Sequence, residues 1–129
     1  MADATLKTGG LMEGKRGLIM GVANDHSIAW GIARTLHAHG AKLAFTYQGD
    51  ALKKRVEPLA AQVGADMVLP CDVEKIETVD ATFAELGKQW GGLDFFVHAI
   101  GYQHLYLTFQ LLSKHDIIIS DKMIAFDPG

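Results

Sequence analysis

Four short apolar runs alternate with three stretches in which apolar residues recur at helical spacing. The runs occupy residues 17–21, 42–47, 66–70 and 93–100. Each is short enough for a strand buried on both faces. Strands that alternate with helices at this spacing form a parallel sheet with right-handed crossovers. The chain is therefore predicted to be a doubly wound α/β domain.

The first helix is predicted between two recognisable end signals. Ser27 is a candidate N-cap and Gly40 a stop, and Ile28, Ile32 and Leu36 recur between them as the inward-facing stripe.

The other two helices follow the second and third apolar runs. Asp50 is the predicted cap of the second helix, and Pro58 inside it predicts a kink or a restart. The third helix has an apolar stripe from Ile76 to Trp90 and is followed by two glycines.

Composition excludes several classes of protein. The 129 residues carry 12 Lys and Arg against 15 Asp and Glu, so no basic footprint for nucleic acid is evident. No apolar run reaches the ~18 residues of a membrane span, and no secretory signal is visible. The single Cys71 cannot form an internal disulfide and suits a reducing compartment. We expect a single cytoplasmic domain with no membrane and no nucleic-acid partner.

Composition also changes along the chain. Residues 1–101 hold 28 of the 30 alanines and glycines, the small residues that let helices pack closely on a sheet. The predicted organisation is a flexible lead-in at 1–13, a dinucleotide-binding half at 14–101 and a divergent tail at 102–129. The tail is either an ordinary terminal element or a segment not selected as part of the same fold.

The loop after the first run has the parts of a phosphate-binding turn. Gly21 permits a sharp turn, Ser27 and the free amides after it begin a helix whose positive end suits a pyrophosphate, and Gly31 would let that helix lie close to the sheet. The spacing is Gly-x5-Ser-x3-Gly and not GxGxxG, so an ordinary glycine turn before a helix is the alternative.

Two polar residues follow the next two predicted strands. Gln48 stands where an acidic residue usually binds an adenosine ribose, and it is either a ribose ligand or a solvated turn residue. Asp72 could accept a hydrogen bond from an adenine amine or cap the third helix, and the two roles are compatible.

With these residues in place, the chain resembles the NADH-dependent enoyl-acyl carrier protein reductases of bacterial fatty acid synthesis, a divergent branch of the short-chain dehydrogenase/reductase family. The resemblance covers roughly residues 11–101. Five segments carry it: 14–17, 21–23 with 27–33, 43–48, 69–73 and 96–101.

The resemblance implies a Rossmann-like sheet, incomplete here, with about four strands and three helices, and NADH as cofactor. It assigns Gly21, Ser27 and Ile28 to the pyrophosphate turn and Gln48 to the adenosine ribose. It assigns Asp72 and Val73 to the adenine, and Ile100 to the nicotinamide side.

The resemblance also implies a reaction and a partner, namely hydride transfer from NADH to the β-carbon of an enoyl thioester on acyl carrier protein. Members of the family are homotetramers, but they assemble through elements that this chain is expected to lack. The family's catalytic tyrosine and lysine lie beyond the matched segment, so no catalytic residue carries over and the chain alone is expected to be inactive. Tyr47 and Lys54 match their spacing but lie at the adenosine end. No metal-ligand set is visible.

Three other interpretations stay open. A non-catalytic nucleotide-binding module would use the same glycine turn. A receiver-like domain would use Asp72 as a phosphoacceptor, although the first strand does not end in the acidic pair that it needs. The third is a defective chain that does not fold stably.

Without the second half of the family's domain, the fourth strand is expected to have an open apolar edge. The apolar residues at 105–112 and 117–119 could cover it as a strand or a helix.

Overall fold

The computed structural model describes residues 10–65, 67–72, 74–99, 110, 114–115 and 119–125. Four strands and three helices lie where the sequence pattern predicts them, and a fifth strand follows. In chain order the elements are β1 (Arg16–Met20), α1 (Ile28–Ala38), β2 (Lys42–Tyr47), α2 (Asp50–Gln62), β3 (Met67–Pro70), α3 (Ile76–Trp90), β4 (Leu93–His98) and β5 (Ile119–Ala125).

The five strands form one parallel sheet in the order β3-β2-β1-β4-β5. β1 is therefore central and pairs with β2 on one side and β4 on the other. The chain runs outward from β1 to β3, then crosses back to β4. This reversal next to β1 is the switch point at which open α/β sheets bind ligands, beyond the carboxyl ends of the strands.

Helices cover both faces of the sheet. On one face α1 and α2 contribute buried Ala29, Trp30, Ala33, Val56 and Leu59 to a core with the inward side chains of β1, β2 and β4. On the other face α3 packs its apolar side chains against the opposite side chains of the strands. The alternation along each strand thus feeds two cores, as a doubly wound sheet requires.

Two aromatic residues lie at the centre of the first core. Trp30 of α1 is 3% exposed, and its indole ring lies 6.3 Å from the ring of Phe45 on β2. This contact holds α1 against the sheet immediately after the loop that follows β1.

A glycine sets how closely β1 and β4 pack. Gly17 is the register partner of Phe95, and a Cβ added to Gly17 would lie 1.9 Å from Cε1 of that ring. The fully packed ring occupies the space that any side chain at residue 17 would need. Arg16 reinforces the same pairing, because its backbone amide donates to Asp94 Oδ2 at 2.8 Å and its guanidinium donates to the Trp90 carbonyl.

Two expectations about α1 are corrected. The side chains buried by α1 are Ala29, Trp30 and Ala33, whereas Ile28 is 64% exposed and the rest of the expected stripe is only half-buried. The small alanines allow close approach to the sheet, so α1 is rotated from the face that its larger apolar residues indicate. Gly31 consequently faces solvent, where an added Cβ meets nothing within 4 Å, and it does not bring α1 close to the sheet.

Two expectations about α2 are also corrected. The helix is capped by Gly49, whose positive φ of 85° turns the chain into the helix, and Asp50 is its first residue. The helix does not restart at Pro58 but continues to Gln62. Pro58 is exposed, so water can satisfy the carbonyl that its missing N–H leaves without a donor.

β5 covers the edge of β4 that the sequence leaves open. It begins at Ile119, so it lies mostly beyond the apolar residues expected to cover that edge. A second contact connects the tail to α3: Lys114 Nζ and His115 Nε2 lie 3.0 and 2.9 Å from Asp80 Oδ1. The hydrogen bonds from His115 and Lys114 lower the pKa of the Asp80 carboxyl.

Among the helices that the structure describes, none is both long and apolar enough to cross a bilayer. Residues 1–9 of the expected lead-in lie outside the described residues, and the domain boundaries at 13 and 101 stay predictions.

The Gly17–Phe95 contact predicts opposite effects for the same substitution at two glycines. We expect Gly17→Ala to lower the free energy of unfolding by about 1–3 kcal/mol, because the new methyl group overlaps the Phe95 ring. Gly31→Ala is the matched control and should raise it by about 0.5–1 kcal/mol, since an exposed helical glycine loses more backbone entropy on folding than alanine. Urea unfolding measures both, and equal effects at the two positions would contradict the packing described.

Candidate functional site

A cavity of about 200 Å³ lies at the carboxyl ends of β1, β2, β3 and β4. Four segments of chain surround it: the loop after β1, the end of β2 with the start of α2, the residue after β3 and the residue after β4. It is lined by Gly21, Val22, Ala23, Thr46, Tyr47, Gln48, Leu52, Cys71 and Ala99. The structure thus brings Gly21 and Gln48, which are 27 residues apart in the sequence, to one cavity.

Gly21 is required at its position for two reasons. Its φ is 108°, a backbone conformation that other residues rarely adopt. In addition, a Cβ at residue 21 would lie 2.3 Å from the Ala99 carbonyl oxygen, so a side chain would collide with the end of β4. The absent side chain keeps this part of the cavity wall at the level of the backbone.

Ser27 organises the glycine loop and does not cap α1 with its side chain. Its Oγ accepts hydrogen bonds from the backbone amides of Ala23 and Asn24, at 2.9 and 3.1 Å. Its own amide donates to the Asn24 carbonyl at 3.2 Å. The loop between β1 and α1 is therefore closed on itself, and two of its amides are already used.

The helix start itself still offers backbone donors. The first helical hydrogen bond of α1 is donated by Trp30 to the Ser27 carbonyl, so the amides of Ile28 and Ala29 precede the helical ladder. They lie at the positive end of the helix dipole, which favours an anion. Ile28 can take part only through its backbone amide, because its side chain has no hydrogen-bonding group.

Gln48 lies at the mouth of the cavity. It is exposed and follows directly on β2, and the next residue, Gly49, turns the chain into α2. Its amide can donate and accept hydrogen bonds at once, as a pair of ribose hydroxyls would require.

Asp72 lies one residue beyond the cavity lining and has local partners. Its carboxylate accepts from the Glu74 amide at 3.0 Å, and its backbone amide donates to Thr78 Oγ1 at 2.9 Å. The N-cap of α3 is Lys75, so the expectation that Asp72 caps this helix is wrong. The adenine role of Asp72 stays a prediction. Val73 and Ile100 lie outside the described residues.

Sequence reasoning did not assign Leu52, Thr46 or Cys71 to this site. Leu52 lies in the first turn of α2 and reaches the cavity. Thr46 and Cys71 could have been found from one signal, their position at the carboxyl ends of β2 and β3.

The Cys71 thiol is buried and protonated, so it has little nucleophilic character. The side chain is 4% exposed, and burial is the main reason that the pKa of its thiol rises from 9.0 to about 11, with a smaller contribution from the neighbouring Asp72 carboxylate. It is thus a neutral lining group at physiological pH. Within the described part of the chain, no group of three or more His, Cys, Asp or Glu side chains could hold a metal ion.

The Ser27 contacts predict a loss of stability on Ser27→Ala. Two loop amides lose their acceptor, so we expect the free energy of unfolding to fall by about 1–2 kcal/mol. Thr35→Ala is the control, because its hydroxyl donates only to the Gly31 carbonyl on the exposed face of α1, and it should change by less than about 0.5 kcal/mol. Chemical denaturation compares the two. Similar losses would show that the loop does not depend on Ser27.

The raised pKa of Cys71 predicts slow thiol modification. A shift from 9.0 to about 11 lowers the thiolate fraction at pH 8 about 100-fold, and burial slows access further. We expect the reaction with a disulfide reagent in the native chain to accelerate up to about pH 11, whereas the chain in concentrated guanidinium chloride should level off near pH 9. Equal rates at pH 8 in the two conditions would contradict the buried, protonated thiol.

Comparison with known proteins agrees with this geometry. A family model described as enoyl-(acyl carrier protein) reductase matches residues 21–117. An NADH-type enoyl-acyl-carrier-protein reductase of Rhizobium meliloti is 69% identical over 93 residues, which are 72% of this chain and 35% of the relative. The chain therefore spans about a third of the length of the curated relatives it matches.

Solved structures show the same likeness. An enoyl-(acyl-carrier-protein) reductase of Anaplasma phagocytophilum, in complex with NAD, matches with a TM-score of 0.70 and 52% identity over 76% of this chain and 37% of its own. A Bacillus cereus enoyl-acyl carrier protein reductase, with NADP⁺ and an indole naphthyridinone, matches with a TM-score of 0.67 and 45% identity over 71% of this chain and 37% of its own.

The matched segment contains the glycine loop, Gln48 and the strands β2, β3 and β4, and it begins directly after β1. The solved relatives share the fold. The chain belongs to the enoyl-(acyl carrier protein) reductase family and corresponds to the N-terminal portion of its members.

Proposed function

We propose that this chain forms the NADH-binding portion of an enoyl-acyl carrier protein reductase. The observation that carries the proposal is the cavity at the carboxyl ends of β1 to β4, where the Gly21 turn and Gln48 lie together in a chain of this family. An expected cytoplasmic location fits a chain with one buried thiol, and stays a prediction.

The described residues fit the cofactor at its adenosine and phosphate end. Gly21 lets the loop turn directly against Ala99, where a Cβ would collide, and its backbone lines the cavity. The pyrophosphate would be held by the amides of Ile28 and Ala29 at the start of α1, since Ser27 Oγ already uses those of Ala23 and Asn24. The cavity of about 200 Å³ is smaller than a complete ligand pocket of about 300–1,000 Å³, so it would hold only part of the dinucleotide.

The proposed selectivity rests on Gln48. An uncharged amide binds ribose hydroxyls, but it neither attracts nor strongly repels the 2′-phosphate of NADPH. We therefore expect NADH to bind more tightly than NADPH by a modest factor, in contrast to the large factor that an acidic residue gives at this position.

When bound, NADH supplies the hydride for enoyl reduction. None of the site residues assigned here would act on an enoyl thioester, so the proposed contribution of the chain is to bind and orient the cofactor. We expect no NADH consumption when the chain alone is given an enoyl thioester. Measurable turnover would contradict this part of the proposal.

Calorimetry with NADH, and with NADPH for comparison, tests the proposal. We expect saturable NADH binding that weakens about 2- to 10-fold in Gln48→Ala, the effect of losing one or two neutral hydrogen bonds. Gln89→Ala is the matched control, because this exposed glutamine lies on α3 and bonds only to Glu85 among the described residues. A chain that unfolds cooperatively yet does not bind NADH would refute the proposal. Equal weakening by both substitutions would place the cofactor elsewhere.

A further inference from the structure

A second and larger cavity lies outside the site described above. It has a volume of about 640 Å³ and runs between the solvent-facing sides of α1 and α2. One of its ends is formed by Asn24 and Asp25 of the loop between β1 and α1. It shares no lining residue with the smaller cavity, so a ligand could occupy it without using Gly21 or Gln48.

The charge of this cleft is opposite to that of the whole chain. Arg34 projects into it from α1, and Lys54 and Arg55 project into it from α2. Asp25 is the only carboxylate among the residues that line it, so three positive charges face one negative charge in a chain whose net charge is −3. Asp25 also has its own partner, since its Oδ1 lies 3.5 Å from His26 Nε2.

The three cations are available to a ligand. All three side chains are exposed, and none of them forms an ion pair with a carboxylate in the part of the chain that the structure describes. They come from both walls of the cleft, so an anion lying in it meets positive charge on two sides. Two of the three are arginines, whose planar fork of donors matches phosphate oxygens.

The floor of the cleft is apolar and buried. Trp30 and Leu59 line it while being only 3% and 8% exposed, because both belong to the core between these helices and the sheet. The basic side chains therefore stand on helices that are packed against the sheet. A volume of about 640 Å³ is in the range of small-molecule sites, about 300–1,000 Å³.

We infer that the cleft between α1 and α2 is a binding site for a small molecule with two or more phosphate groups, separate from the dinucleotide site. Two walls with cations favour an extended anion over a single phosphate. Binding of this kind weakens with salt, because the contacts are exposed and electrostatic.

Calorimetric titration of the full chain with inorganic tripolyphosphate tests the inference, with inorganic phosphate for comparison. We expect saturable binding of tripolyphosphate, tighter than that of phosphate, and a dissociation constant about tenfold higher in Arg34→Gln and in Arg55→Gln. Lys53→Gln is the matched control: it removes one exposed positive charge from the same helix at a residue that does not line the cleft. It should change the constant less than about twofold, by its weak screened charge alone.

Three results would overturn the inference. The first is no saturable binding by a chain whose circular dichroism shows it folded. The second is equal weakening by Lys53→Gln, which would mean that tripolyphosphate responds only to overall charge. The third is stoichiometric displacement of tripolyphosphate by NADH together with weakening in Gln48→Ala, which would place the anion in the dinucleotide site.

Discussion

The close contact of β1 with β4 is the constraint on which the rest of the structure depends. Two glycines make it possible. The Phe95 ring occupies the space that a side chain at Gly17 would need, and the Ala99 carbonyl occupies the space that a side chain at Gly21 would need. Because β1 is the central strand, its position against β4 also fixes the point at which the strand order reverses in the sheet. The candidate cofactor site lies at this reversal, so packing within the sheet and the shape of the site have one origin.

Local closure of the loop after β1 divides the backbone donors into two groups. Ser27 Oγ occupies the amides of Ala23 and Asn24 and holds the loop in shape, while the first amides of α1 remain outside the helical ladder. The Ser27 hydroxyl therefore bonds within the protein, and the start of α1 retains backbone donors that an anion could use. Trp30 packs on Phe45 and thereby holds the start of α1 against the sheet.

Much of the fold could be predicted because the local spacing of apolar residues indicates where strands and helices lie. The alternation of apolar runs with helical stretches located four strands and three helices, and the glycine turn pointed to the end of β1. The face of α1 could not be predicted, because its contact depends on small Ala29 and Ala33, which a hydrophobic stripe underrates beside Ile28. The role of Ser27, and the approach of Leu52 to the cavity, depend on contacts across the loop that spacing does not encode. β5 also depends on a long-range pairing, and it lies mostly beyond the apolar residues 105–112 and 117–119 that were expected to cover the edge of β4.

The strand order also has a consequence for how the chain folds as it is made. The Arg16 amide bonds to Asp94, 78 residues further along, whereas β2 pairs with β1, and β3 with β2, after a single helix each. At a synthesis rate of about 5–20 residues per second, one side of β1 waits roughly 4–16 s for β4 to emerge from the ribosome. Until then β1 has no partner on its β4 side, and an unpaired strand edge is the kind of surface that recruits other chains. β1 can therefore complete its pairing on both sides only after residues 93–98 have been synthesised.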